Sequence, residues 1–415
     1  MVASNGTSTH TNETDTENRI FMDYNATTPL APSVIKVIGS SLVTGWANPS
    51  SSYQIGVKAK QMITEARHHL LKMINGSKES ELTFTSGGTE ANNHMIWMAC
   101  KYFNEFHKEH NRINSKKPHI ITSCIEHDSI LNPLKELERE GRVDVTYVNV
   151  SKEHGFVDPD NVLQEIRDET VLVTLMMANN ETGVIQKVAE ICKRIKALPR
   201  RDDLPRILLH TDAAQTIGKI PVDVQELNVD YLTIVGHKFY GPRIGAFWVR
   251  DGLPYFPMML GGGQECGRRA GTENTPMITG LGEAARLVCQ NLKTDTEYLR
   301  EIRDYLIQRL RQEVGAENIQ VNCGHVSSRL PNTANISFIN SKLDGRGILA
   351  RCSRLAASVG AACHTDCGAQ ASGILLAHHV TFEIAIKAVR LSVGRHTTKE
   401  EVDIIVQDLK QAVLS

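Results

Sequence analysis

The chain of 415 residues is 41% hydrophobic and 22% charged, enough apolar content for a globular protein of about two or three domains that needs no disulfide staples. A formal net charge of -1 and a pI near 7.0 give no electrostatic ground for a nucleic acid or an anionic membrane as partner, and no apolar run approaches the ~20 residues that span a bilayer. Nine cysteines, an odd number at irregular spacings with no CxxC pair, argue against a disulfide framework and a zinc site, so no metal is expected.

The first eighteen residues are polar and acidic, with no Arg and no hydrophobic stretch. They match neither a secretory signal nor a mitochondrial presequence, and residues 1–19 read as a disordered tail on a cytosolic protein. Order is expected from Ile20, with helices over Ser33–Leu42 and about Ile55–Met73. Short apolar runs then alternate with helical patterns, the signature of an α/β domain with a mostly parallel sheet. The run Leu82–Thr85 leads through Ser86-Gly87-Gly88-Thr89 into a helical stretch. A strand, a glycine turn and a helix start present free N–H groups and a positive helix end to an anion, although a plain strand-to-helix connection has the same pattern.

Residues 104–118 are charged and read as a solvated loop. The strand from His119 ends at Glu126-His127, where a histidine either caps the next helix or faces a ligand at the carboxyl end of the sheet. Val171–Met177 is a buried strand followed by the Asn179-Asn180-Glu181-Thr182-Gly183 turn. Two further buried runs end in chemistry, the first at Asp212 and the second at Gly236-His237-Lys238. A lysine amine and a carboxylate at neighbouring strand ends fit a pyridoxal phosphate site, the amine for the aldehyde and the carboxylate for the pyridine nitrogen. A surface lysine and a helix-capping aspartate are equally consistent with this segment alone. The glycine-dense, basic loop Gly261–Thr272 is too poor in apolar residues for a core and reads as a site or an interface. A long helix is marked by Leu299, Ile302, Leu306, Leu310 and Val314, and the last helix opens with Thr398 and Glu401 at capping-box spacing. The expected division is a large domain over 20–280, whose first residues pack with the small domain, and a small C-terminal domain over 281–415.

The ordered set MDYNATTP, NPSS, TSGGTEANN, EHDSI, NNETGV, HTDAAQ, GHKFYGP, GGGQE, RRAGT and RLSVGR resembles the cysteine desulfurase and selenocysteine lyase family from Phe21 to the C-terminus. The resemblance implies the type I fold of pyridoxal phosphate enzymes, like aspartate aminotransferase, with a seven-stranded, mostly parallel sheet and a smaller α+β domain. It makes Lys238 the Schiff-base lysine, Asp212 the partner of the pyridine nitrogen and His127 the imidazole on the ring face. Asn180 and Gln215 fall where the family bonds the phenolic oxygen, and Gly88, Thr89 and His237 where it holds the phosphate. Thr272 matches a residue that reaches the neighbouring subunit's phosphate, which implies a homodimer. Arg395 matches the clamp on the substrate carboxylate, and Asn48 lies in a motif near that carboxylate, though it reads equally well as a turn residue. Val235 stands where many relatives have a phosphate-binding Ser, so one hydroxyl donor is lost.

Cys363, in the small-residue stretch Ala357–His364, matches the family's reactive cysteine, whose thiolate chemistry His364 could assist when protonated. The segments ASVGAACHTD and IVGHKFYGPRIG are most similar to the animal branch that acts on selenium. The expected reaction is therefore β-elimination of selenium from L-selenocysteine, with a reduced acceptor required, to give L-alanine and selenide, and a selenide-accepting protein is an expected partner. The alternatives are desulfuration of cysteine through an enzyme persulfide and a catalytically silent scaffold.

Overall fold

The computed structural model describes residues 19–110, 116–360 and 371–414. Among these, seven strands form one sheet: β2 (Leu82–Thr85), β3 (His119–Ser123), β4 (Asp144–Val148), β5 (Thr170–Met176), β6 (Leu208–Asp212), β7 (Tyr231–Val235) and β8 (Gly245–Val249), where β1 is the short Ile20–Phe21 strand. Their spatial order is β2-β8-β7-β6-β5-β3-β4, and every pairing is parallel except those of β8 with β2 and β7. Strands β5 to β8 are buried along their whole length. Helices cover both faces of such a sheet, which is why these strands are near-continuous apolar runs rather than alternating ones.

The helices differ from the expected ones mainly in length. Helix α1 spans Pro32–Thr44, α2 spans Gln54–Ile74, α3 spans Gly88–Glu109 and α4 spans Asp128–Arg139. Helix α3 runs into the segment read as a solvated loop: Phe103 and His107, four residues apart, are both buried. Strand β4 had no counterpart in the sequence reading, because DVTYV is exposed at its first residue and only half-buried over the next three.

The long helix begins at Thr275, well before Leu299, and runs 40 residues to Val314. Its first half sets Ile278, Leu281, Ala284 and Ala285 into the core of the large sheet. Its second half sets Leu299, Ile302, Leu306 and Leu310 into a separate core. Gly282 is required where it crosses α2, since a Cβ there would lie 2.5 Å from Ala66 Cα.

The second core lies on a three-stranded antiparallel sheet of β9 (Ile319–Val321), β10 (Thr333–Phe338) and β12 (Ala388–Ser392). Strand β11 (Leu355–Ala356) pairs in parallel with β1, so Ile20 and Met22 from the start of the chain join this core. The last helix, Lys399–Leu414, packs there through Val402, Ile405 and Leu409. Thr398 N donates to Glu401 Oε2 at 2.9 Å and Glu401 N to Thr398 Oγ1 at 3.1 Å, the reciprocal bonds of a capping box.

Candidate active site

The carboxyl ends of β2, β3, β5, β6 and β7 open on one edge of the sheet, and a cavity of about 250 Å³ lies there. Open α/β sheets place ligands at this edge because the loops that leave the strands converge there. Gly88 and Thr89 after β2, His127 after β3, Asn180 after β5, Asp212 and Gln215 at the end of β6, and His237 and Lys238 after β7 all line it.

Lys238 Nζ donates to the backbone carbonyls of Asn25 and Ala26, each at 2.8 Å. Asp212 is 8% exposed; its Oδ1 accepts Ala214 N at 2.9 Å and its Oδ2 accepts Asn92 Nδ2 at 2.8 Å. Asn92 also donates to Ser129 Oγ at 2.8 Å, and that hydroxyl lies 2.9 Å from His127 Nδ1. His127 caps α4 by accepting Ser129 N at 3.1 Å, and it also lines the cavity. A single polar chain ties the imidazole to the carboxylate and orients both.

Behind Asp212, Glu126 is fully buried, with Oε1 accepting from Ser123 Oγ and Met176 N while Oε2 has no partner. Burial and, to a lesser extent, the charge of Asp212 push its pKa up to about 8, so it keeps its proton at neutral pH. His237, bonded to Thr27 Oγ1 at 3.1 Å, is pulled down to about 4 by burial and by the adjacent Lys238 and Arg243, and is neutral.

Three of the expected residues, Arg395, Asn48 and Thr272, do not line the cavity. The Arg395 guanidinium sits 3.7 Å from the Tyr240 ring centroid, with Nη1 3.8 Å from Asp295 Oδ2. It does not line the cavity; Arg390, five residues earlier on β12, does. Arg390 is 1% exposed, with Nη2 donating to Asp23 Oδ1 at 2.6 Å, Nη1 to Asn180 O at 3.1 Å and a buried Nε that has no partner. Asn48 is exposed, its Oδ1 accepting Ser50 N at 2.9 Å, which is the turn reading. Thr272 is exposed and outside the cavity wall.

Cys363, with His364, lies outside the described residues. The residues on either side of that segment do not: Ser372 Oγ donates to Glu181 Oε2 at 2.5 Å, and a Cβ on Gly360 would lie 3.1 Å from Glu181 Oε1. Both ends therefore meet at Glu181, next to the cavity-lining Asn180.

Asn25, Asn92, Ser129 and Arg390 were missed in the sequence. Asn92 had a signal: it follows Gly88 by four residues and so shares its helix face. Arg390 had another, an arginine between Val389 and Leu391 in a buried strand, where a charge needs a partner or a task.

The donor set suits pyridoxal phosphate. A lysine amine, a buried carboxylate, an imidazole and the positive end of the 22-residue helix α3 stand on different walls of one cavity, and Arg390 Nε and Asn92 Oδ1 are buried polar atoms still lacking partners. Among the described residues, no group of three or more His, Cys, Asp or Glu could hold a metal ion.

Residues 20–405 match the family described as aminotransferase class-V, and the chain belongs to that family, whose cofactor is pyridoxal 5'-phosphate. A solved NifS-like protein superimposes with a TM-score of 0.82 at 30% identity, covering 95% of this chain and 98% of that one. Within the family the chain is similar to the selenocysteine lyase of Homo sapiens, at 52% identity over 411 residues that cover 96% of this chain and 92% of the relative. The cysteine desulfurase IscS of Dictyoglomus turgidum is 38% identical over 400 residues, covering 96% of this chain and 95% of the relative.

Proposed function

We propose that this chain is a pyridoxal phosphate-dependent lyase that cleaves L-selenocysteine to L-alanine and releases selenium as selenide. The observation that carries this reading is the 52% identity to a selenocysteine lyase across nearly the whole chain, against 38% to a cysteine desulfurase, around a cavity lined by Lys238, Asp212 and His127.

The cofactor, when bound, supplies an electron sink for charge that develops at the substrate Cα. Lys238 would hold its aldehyde and later move the Cα proton, and Asp212 would hold the pyridine nitrogen in its protonated form. His127 would cover one ring face, with Asn180 and Gln215 at the phenolic oxygen. Gly88 and Thr89, at the start of α3, and His237 would take the phosphate. Val235 supplies no hydroxyl there; its Cγ2 packs so closely on Gly88 that a Cβ on Gly88 would lie 2.4 Å from it.

For the substrate carboxylate the geometry favours Arg390 over Arg395, because Arg390 faces the cavity with a donor unused while Arg395 is engaged with Tyr240. Arg390 Nη1 and Nη2 are held by Asn180 O and Asp23 Oδ1, which leaves Nε as the donor for the carboxylate. Breaking the Cβ–Se bond and protonating carbon gives alanine, and a two-electron thiol reductant accounts for selenium leaving as selenide. Cys363 is assigned to the selenium end of the substrate, either as nucleophile or as proton donor, in keeping with its flanking residues at Glu181.

The finer readings are a homodimer, a selenide-accepting protein and the cytosol. A second copy is supported by the apolar side chains left bare on and after α1, Ile35, Leu42, Val43 and Trp46, and by Leu260 at 83% exposure beside the loop that carries Thr272. In that dimer Thr272 reaches the partner's phosphate. The seven described cysteines are all free thiols, as suits a reducing compartment, and no helix among the described residues is long and apolar enough to cross a membrane.

The test is alanine formation by the holoenzyme from L-selenocysteine and from L-cysteine at equal concentrations. Selenocysteine turnover should exceed cysteine turnover at least about tenfold, a difference of roughly 1.4 kcal/mol in the barrier. Equal or faster use of cysteine assigns the chain to desulfuration instead, and no alanine from either substrate would mark a silent scaffold.

A further inference from the structure

Lys219 is a charged side chain that the reaction does not use, yet it is only 5% exposed and lies beside the site. Its Nζ donates to the backbone carbonyl of Gln215 and to Gln215 Oε1, each at 3.0 Å, so both of its partners are neutral oxygens. Burial, with Lys238 and Arg390 close by, pulls its pKa down to about 7. A buried lysine without a counter-charge is costly, and an apolar side chain of the same length would fill the space more cheaply. The long helix also fixes its backbone, through Thr296 Oγ1 donating to Lys219 O at 2.8 Å.

The bond to the amide has a consequence for the cavity. A lysine amine offers donors: an ammonium has three and no acceptor, and even the neutral amine has the two N–H groups that these contacts need. As an ammonium, which accepts no hydrogen bond, Lys219 fixes Gln215 with Oε1 turned toward itself, because the flipped amide would set NH2 against NH3+. Gln215 Nε2 is left on the cavity side, where it donates to Asn25 O at 3.0 Å, the same carbonyl that accepts Lys238 Nζ at 2.8 Å. A chain of hydrogen-bonding groups thus runs from Lys219 through Gln215 and Asn25 to Lys238.

We infer that Lys219 is a positioning residue that fixes the Gln215 amide as a hydrogen-bond donor toward the phenolic oxygen of the bound cofactor. This rests on the reading that pyridoxal phosphate binds at Lys238 with Gln215 at that oxygen. A donor there stabilises the oxyanion and so lowers the pH at which the Lys238-bound cofactor loses its proton. Lys219 acts through Gln215 and touches no reacting atom.

The experiment is a pH titration of the cofactor's visible absorption in the holoenzyme, compared with Lys219→Met, Lys219→Arg and Gln215→Leu. In Lys219→Met, which keeps length and removes every donor, the midpoint should rise by about one pH unit, a tenfold change in proton affinity. Lys219→Arg restores a donor and should return the midpoint most of the way. Gln215→Leu should raise it as Lys219→Met does, and the double variant should add nothing. A parent-like midpoint in Lys219→Met, while Gln215→Leu is shifted, overturns the role of Lys219 even if melting temperature or turnover falls. A parent-like midpoint in Gln215→Leu overturns the placement of Gln215 instead. If the methionine variant does not accumulate as folded holoenzyme, Lys219→Leu gives the same reading.

Discussion

Arg390 and Arg395 lie five residues apart in one motif, and only the fold separates them. The apolar residues around β12 conceal which of the two arginines turns inward, whereas Lys238 and Asp212 declared themselves by ending strands. If Arg390 Nε binds the substrate carboxylate, truncating Arg390 to Gln should raise KM for the amino acid at least about tenfold, about 1.4 kcal/mol, because it removes a charge-assisted hydrogen bond. Arg395→Gln should act mainly on stability through Tyr240. A larger KM effect in Arg395→Gln than in Arg390→Gln would return the carboxylate to Arg395. Glu126 gives a prediction of another kind. Its folded pKa of about 8 stands above its ordinary 4.5, so the folded state binds this proton more tightly. That contribution is complete below about pH 4.5 and is lost as pH rises toward about 8. The melting temperature of Glu126→Gln should therefore fall less between pH 6 and pH 8.5 than that of the parent, by a margin seen in parallel thermal scans; identical slopes would show that Glu126 is ionised throughout.

At the scale of elements, the sequence was read best where a pattern was pure. The buried strands β5 to β8 and the second half of the long helix stood out because their apolar spacing was unbroken. The first half of that helix was hidden by Gly280 and Gly282, residues that lower helix propensity but are needed for close packing, Gly280 on Ile38 of α1 and Gly282 on Ala66 of α2. This sets two effects in opposition. Propensity alone makes Gly282→Ala stabilising by up to ~1 kcal/mol, while a methyl forced to 2.5 Å from Ala66 Cα costs ~1–3 kcal/mol in a packed interior. Packing wins on these magnitudes, so denaturant midpoints should fall in Gly282→Ala, and a rise would mean that the crossing of the two helices relaxes.

For the whole molecule, the proposed homodimer would cover the bare apolar residues of α1 and bring the exposed Thr272 loop to the partner's site. Trp46→Asp places a charge on that face at 70% exposure, where it costs the folded monomer little. Sedimentation should then show monomers at micromolar concentration with weakened cofactor retention. A variant that stays dimeric would move the interface elsewhere.

The pairing of β1 with β11 also sets an order of assembly. Ile20 finds its partner at Leu355, and Asn25, whose carbonyl receives Lys238, donates its N–H to Ser392 Oγ and its Nδ2 to Thr333 Oγ1. Synthesis proceeds from the N-terminus at about 5–20 residues per second, so the opening segment must wait, unpaired, while the rest of the chain emerges. The large sheet can close on itself before then, but the carbonyls that receive the lysine cannot be seated until the last strand is made. Cofactor capture is thereby tied to completion of the chain, and a nascent or truncated polypeptide that lacks β12 is left without a finished place for the aldehyde.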